Sequence, residues 1–152
     1  MSKKSVIGIL LAVIIILGAI YFLSHRANSP LSSDQAQKTI YVADKKLSIE
    51  VADTLDKQTL GLSYRKSMPE DKGMLFIFPQ LGTYGFWMKD MNFSLDLIWL
   101  DENGKIVSID KNISPKTYPK IFNPSSPVKY VLEVNAGWSD KNGIKVGDSI
   151  KF

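Results

Sequence analysis

Residues 85–100 read GFWMKDMNFSLDLIWL, and the run at the end of this stretch decides the fold class. Successive side chains of a strand point to opposite faces, so LDLIWL puts Leu95, Leu97 and Trp99 on one side and Asp96, Ile98 and Leu100 on the other. Both faces are apolar except for Asp96, which is the pattern of a strand covered on two sides rather than one with a face in water. The residues before it alternate in the same way, Phe86, Met88 and Asp90 against Trp87 and Lys89, and the indole of Trp87 can cover the methylene stem of Lys89. Charge is the difficulty. Lys89, Asp90 and Asp96 lie in or beside apolar sequence, and removing an ion from water costs several kcal/mol unless another group compensates it.

Working outward, short apolar runs broken by turn residues predict a β-rich domain over residues 39–152. TIYVA and KLSIEV flank Asp44 and Lys45 as a hairpin. DTLDKQTLGLSY is the best helix candidate, with Asp53 or Thr54 as N-cap, Leu55, Thr59 and Leu62 on one side, and Gly61 marking a break or a close approach. MLFIF, YGFWM and LDLIWL read as strands, DENG as a tight turn into KIVSID, and VKYVLEV as a strand with Val128, Tyr130, Leu132 and Val134 opposite Lys129, Val131 and Glu133. The loop at 111–127 carries Pro115, Pro119, Pro124 and Pro127, so it joins neither a helix nor a central strand, and Tyr118, Ile121 and Phe122 suit it to packing as an ordered lid. A short helix around WSDKN and a final DSIKF strand complete the domain. The expected fold is mainly β, an antiparallel sandwich or partly closed barrel with one or two short helices and no βαβ rhythm.

Ahead of this domain stands an uncharged apolar run at 6–23, beginning at Val6 and ending at Leu23, long enough to span a bilayer as a helix. It exceeds the usual apolar core of a signal peptide, and YFLSHRANS offers no small-residue cleavage site, so an uncleaved anchor is expected, with secretion after cleavage as the alternative. Lys3 and Lys4 precede the run and only Arg26 closely follows it. That bias places residues 1–5 in the cytoplasm and the folded domain outside. Residues 24–38, rich in Ser, Asn, Gln and Pro, have the composition of a flexible linker.

Of the formal charge of +4, Lys3, Lys4 and Arg26 account for three, which leaves +1 for residues 28–152, too little for a nucleic-acid interface built on phosphate contacts. The chain has no cysteine, and His25 is its only histidine. Disulfides, thiolate catalysis, Ser-His-Asp machinery and His- or Cys-ligated metals are therefore closed to the folded domain; no metal site and no cofactor is expected.

Two accounts of the charged residues stay open. In one, Lys89 and Asp90 sit in water at a strand end while Asp96 caps a turn or accepts backbone N–H groups. In the other, Asp96 and Lys89 converge at the mouth of the domain with Arg65, whose planar fork suits a carboxylate, and with Glu133.

The blocks GLSYRKSMPEDKGMLFIF, FWMKDMNFSLDLIWLDENGKI and YVLEVNAG resemble, in order and spacing, the prokaryotic family called domain of unknown function 192. Its members typically show Gly-Leu-Met-x-Arg, Gly-Met-Leu-Phe-x-Phe, Trp-Met-Lys-Asn, Leu-Asp and Tyr-Val-Leu-Glu. The matching positions here are Gly61, Leu62 and Arg65; Gly73, Met74, Leu75, Phe76 and Phe78; Phe86, Trp87, Met88 and Lys89; Leu95 and Asp96; and Tyr130, Val131, Leu132 and Glu133. The resemblance covers about residues 40–152. Ser63, Asp90 and Ser94 depart from the common Met, Asn and Pro, and the loop cysteines of some relatives are absent. A compact, mainly β domain is implied, and no reaction is.

Three functions follow as expectations. The first is a ligand-binding or accessory module held outside the membrane, with a cleft of Arg65, Trp87, Lys89, Asp96 and Glu133 lidded by Tyr118 and Phe122, for a sugar, a peptide or a small carboxylate. The second is a hydrolase of glycan-type substrates, with Asp96 and Glu133 as acid and base and Lys89 beside them, which requires both carboxylates to open onto one pocket. The third is a structural or partner-binding envelope subunit whose charges only fix the fold.

Overall fold

The computed structural model describes residues 38–151. The expected anchor at 6–23 and, apart from Lys38, the linker at 24–38 lie outside the described residues. The elements run β1 (Lys38–Val42), β2 (Lys45–Ala52), α1 (Leu55–Leu60), β3 (Lys72–Gly82), β4 (Leu95–Leu100), β5 (Ile106–Ile113), a 3-10 turn (Pro115–Thr117), β6 (Val128–Asn135), α2 (Trp138–Lys141) and β7 (Ile150–Lys151).

All seven strands join one sheet in the order β5-β4-β6-β3-β2-β1-β7. The sheet curls until its ends meet: β7 pairs with β1, while the Ile150 N–H donates to the Gly104 carbonyl at 2.9 Å and the Ile106 N–H to the Asp148 carbonyl at 2.8 Å. The result is a half-barrel, so the partly closed barrel is formed and the sandwich of two sheets is not. The pairing is also mixed. β2 and β3 run parallel, Glu50 opposite Met74 and Ala52 opposite Phe76, with α1 in the crossover between them. This corrects the expectation of a purely antiparallel fold without a βαβ unit, which a helix of one and a half turns did not advertise.

Two apolar layers cover the sheet. Ile40, Leu47, Ile49, Leu75, Ile98, Leu100, Leu132 and Val134 fill the inside of the curl, closed by Trp138 of α2. Phe76, Phe78, Leu95, Leu97, Trp99 and Val131 form the outer layer with Leu62, Met68 and Met88 from the connections. Every residue of β4 is buried, as its sequence requires. Helix α1 starts where Thr54 Oγ1 accepts the Lys57 N–H and stops at Gly61, whose φ of +50° is open to glycine. No residue of α1 is buried, and Leu55 faces solvent rather than the core. YGFWM is not a strand: Phe86 alone pairs, with Phe122 of the long loop.

Asp96 is fully buried on the inner face. Its Oδ1 accepts the Asn112 N–H at 2.9 Å and the Gly137 N–H at 3.1 Å, and its Oδ2 accepts the Ser139 N–H at 3.0 Å. Gly137 is the N-cap of α2 and has no side chain to cap with, so a carboxylate from β4 takes the N–H groups at the start of that helix and ties it to β5. Asp96→Asn turns one acceptor into a donor facing a buried N–H group. It is expected to lower unfolding free energy by about 3 kcal/mol in thermal or denaturant unfolding, while leaving the outer face unchanged.

Candidate functional site

The outer face carries a pocket of about 290 Å³ between α1, the sheet and the segment that follows β3. Gln58, Thr59 and Leu60 of α1, followed by Gly61, Leu62 and Ser63, form one wall. Tyr84, Phe86, Trp87 and Met91 form the other, over a floor of Phe76, Phe78 and Glu133. Gln58 pins the helix down by donating to the Ile77 carbonyl at 2.9 Å. Phe86 meets Phe76 edge-on at 4.9 Å and Trp99 at 5.4 Å, and Tyr84 stacks on Phe78 at 3.6 Å. Gly61 passes close to Phe76, where an added Cβ would lie 3.3 Å from the ring.

Glu133 is the unusual member. Strand register sets it beside Met74 on β3 and Leu97 on β4, so it belongs to the outer layer. It is 7 % exposed, and its Oε2 has no hydrogen-bond partner. Burial away from water penalises the carboxylate and pushes its pKa up to about 8, against a weaker downward pull from the Arg65 guanidinium. At neutral pH Glu133 is therefore mostly a carboxylic acid, with an O–H and a carbonyl oxygen for a pocket occupant.

Arg65 stands next to it but engages another residue. Its Nη1 and Nη2 donate to Glu50 Oε1 and Oε2 at 2.6 and 2.7 Å, a fork-on-carboxylate pair that holds the Glu50 carboxyl below the usual carboxylate range. The partner imagined for Arg65 from sequence, Asp96, lies on the other side of the sheet. Asp96 faces Val134 across the β4–β6 ladder, whereas Glu133 faces Leu97, so the two carboxylates point to opposite faces. The two-carboxylate arrangement needed for acid–base hydrolysis is not formed.

Lys89 and Asp90 are exposed. Lys89 Nζ lies 6.0 Å from the centre of the Trp87 ring, and Tyr118 meets that ring edge-on at 6.1 Å. Trp87 is 53 % exposed and Tyr118 46 %, so these three make a rim where the long loop reaches the pocket. Gly85 allows the approach, since a Cβ there would come within 2.8 Å of Ile121. Asp90 accepts the Tyr64 hydroxyl at 2.8 Å, and with the Tyr64 N–H on the Asp90 carbonyl it stitches the segment after α1 to the one after Trp87. Of the residues named from sequence, the pocket and its rim therefore gather Trp87, Glu133, Lys89 and Tyr118, with Arg65 alongside, and leave out Asp96. Sequence reading missed the floor and walls, Phe76, Phe78, Tyr84 and Phe86, and also Glu50, whose place on the polar face of KLSIEV was the one available sign. Among the described residues no three His, Cys, Asp or Glu side chains gather to hold a metal ion.

Glu133 makes stability depend on pH. Its folded pKa lies above its unfolded one, so the native state binds the extra proton, and stability falls as pH rises from about 4.5 to about 8. Over that window the loss is on the order of a few kcal/mol. Glu133→Gln keeps the shape and cannot ionise. In denaturant titrations from pH 5 to 9 the variant is expected to lose this slope and to exceed the parent in stability at pH 9.

The comparisons agree with this architecture. A UPF0127 protein of Pyrococcus furiosus is 27% identical over 115 residues, 71% of this chain and 90% of that protein. The crystal structure of a protein of unknown function from Novosphingobium aromaticivorans superposes with a TM-score of 0.75 at 27% identity, covering 81% of this chain and 89% of that one. That of a candidate transcription regulator from Sinorhizobium meliloti does so with a TM-score of 0.69 at 33% identity, covering 74% and 89%. The family model for domain of unknown function 192, described as Uncharacterized ACR, matches residues 37–152, and the chain belongs to that family.

Proposed function

We propose that this chain is a membrane-anchored binding module whose outer-face pocket takes a small molecule against Glu133. The observation that carries this reading is Glu133 Oε2, buried and without a hydrogen-bond partner at the floor of an aromatic pocket of about 290 Å³. Folding alone leaves such an atom at a cost of about 1–3 kcal/mol. A ligand that supplies the missing partner recovers it. Aromatic walls with a few polar groups, here Gln58, Thr59, Ser63 and Glu133, are the usual make-up of a small-molecule site, and this volume is near the lower end of the range.

Trp87 and Tyr118 form the mouth, Lys89 stands at its edge, and Arg65 with Glu50 fixes the electrostatics beside the floor. Asp96 serves the fold instead. The apolar run at 6–23 anchors the domain, and Lys3 and Lys4 keep the amino terminus in the cytoplasm with the pocket outside. A role on nucleic acid, which the description of the Sinorhizobium meliloti protein brings to mind, has little support from a formal charge of +1 over residues 28–152.

A fragment library, screened by thermal shift and by chemical shifts of the pocket residues, tests the reading on the full-length chain. Trp87→Ala is expected to weaken any hit by about tenfold or more while changing stability by less than about 0.5 kcal/mol, because Trp87 is largely exposed. Leu60→Trp, on a pocket residue that is 55 % exposed, should close the mouth without unfolding the domain. A library of sugars, amines, carboxylates and aromatics that moves no signal of α1 or residues 84–91 would count decisively against a binding pocket.

A further inference from the structure

Among the described residues the charge felt at Glu133 is that of Arg65, which is already paired. On β2, Glu50 accepts both terminal nitrogens of Arg65, so the two cancel as a unit. Lys72, two residues before Met74 on β3, acts on Glu50. On β5, Asp110 stands opposite Leu97 in the same cross-strand row and accepts the Trp99 indole N–H at 2.7 Å. Neighbours Met74 and Leu97 are apolar, and α1 contributes Gln58 and Thr59 but no charge to the lining. At the floor the cation near Glu133 is therefore engaged, while Lys89, the cation at the rim, lies beside the Trp87 ring. An anionic group brought to the floor would have to displace Glu50 from Arg65, breaking a pair of short, charge-assisted hydrogen bonds.

The walls point the same way. Phe76, Phe86 and Trp87 line the pocket with Glu133, and aromatic rings attract cations. Resting on the pocket reading above, we propose that the ligand is a small protonated amine that carries N–H donors, its ammonium group on Glu133 Oε2 and its apolar body between Leu60, Phe86 and Trp87. A quaternary ammonium ion would satisfy the rings but leave Oε2 unpartnered, so the N–H is part of the specification.

Binding moves one proton. The free pocket holds Glu133 as the neutral acid at pH 7; when the ammonium enters, the O–H bond of Glu133 breaks, its electron pair remains on the carboxylate, and the proton leaves to solvent. The complex is carboxylate and ammonium, and the amine keeps all its hydrogens. Affinity should accordingly rise about tenfold per pH unit between pH 6 and 7.5 and level off above about 8, while the amine remains protonated.

The test is calorimetry on the full-length chain in a non-ionic detergent, with 2-phenylethylamine, benzylamine and cyclohexylamine. Their counterparts are 2-phenylethanol, 3-phenylpropionate and the trimethylated 2-phenylethylamine. The expected result is release of nearly one proton per amine at pH 7, read from two buffers of different ionisation enthalpy, and at least tenfold tighter binding of the amines than of the alcohol, the carboxylate or the quaternary ion. Glu133→Gln should erase both the proton release and that preference while leaving weak aromatic binding. If the alcohol or the carboxylate shifts the Gly61, Phe86 and Trp87 signals as strongly as the amines do, with no proton released, the amine assignment fails and the pocket stands. If no probe shifts them, the amine assignment fails, and the pocket reading fails with it when the fragment library moves none of them either.

Discussion

A sheet covered by apolar side chains on both faces leaves a carboxylate little access to water, and three of the carboxylates on this sheet answer that constraint in three ways. Asp96, inside the curl, is surrounded by the N–H groups of Asn112, Gly137 and Ser139. Glu50, on the outer face, accepts the fork of Arg65. Glu133, two strands across from Glu50 in the same cross-strand row, has only Arg65's field and its own proton. The first solution builds the fold, because it holds α2 against β4 and β5. The second organises charge beside the pocket. Only the third is incomplete within the chain, and incompleteness of that kind distinguishes a site from a staple.

The same comparison shows what can be read in the sequence. Period-two alternation places Asp96 and Glu133 on their strands and marks β4 as doubly covered, because that information is local. Which face each carboxylate joins depends on how β4 and β6 register, and their opposite directions follow from Asp96 facing Val134 and Glu133 facing Leu97. No local pattern encodes that pairing. The Arg65–Glu50 pair spans 15 residues across a helix and a parallel crossover, and the short α1 concealed the crossover itself. YGFWM misled for a related reason: its alternation is genuine, with Phe86 and Met88 inward and Trp87 and Lys89 outward, but its only ladder contact is Phe86 with Phe122, so it serves as a wall instead of a strand.

Membership of a family whose members are described as uncharacterised supplies the fold and stops there, since a fold does not carry a function. What can be argued must come from the site. The walls of the pocket are contributed by two connections far apart in sequence, 58–63 and 84–91, which are fastened to each other by the Tyr64–Asp90 contacts and by Ser63 Oγ on the Lys89 carbonyl. Gly61 ends α1 so that the first connection turns over Phe76, and Gly85 lets the long loop settle on the second. Backbone freedom at Gly61 and the missing side chain at Gly85 thus shape the cavity, while the aromatic side chains line it.

Glu133 imposes a penalty that nothing in the packing explains. A glutamine would fill the same space beside Met74 and Leu97, offer the same hydrogen-bonding reach, and escape the cost of ionisation as pH rises toward 8. The acid differs from the amide in one capacity, that of becoming an anion when a cation arrives. Arg65 could have met that need from within the protein, but both of its terminal nitrogens are committed to Glu50 at 2.6 and 2.7 Å. An acid held neutral at the floor of an aromatic pocket, with the nearest internal cation already engaged, is poised to take its counter-ion from outside the chain.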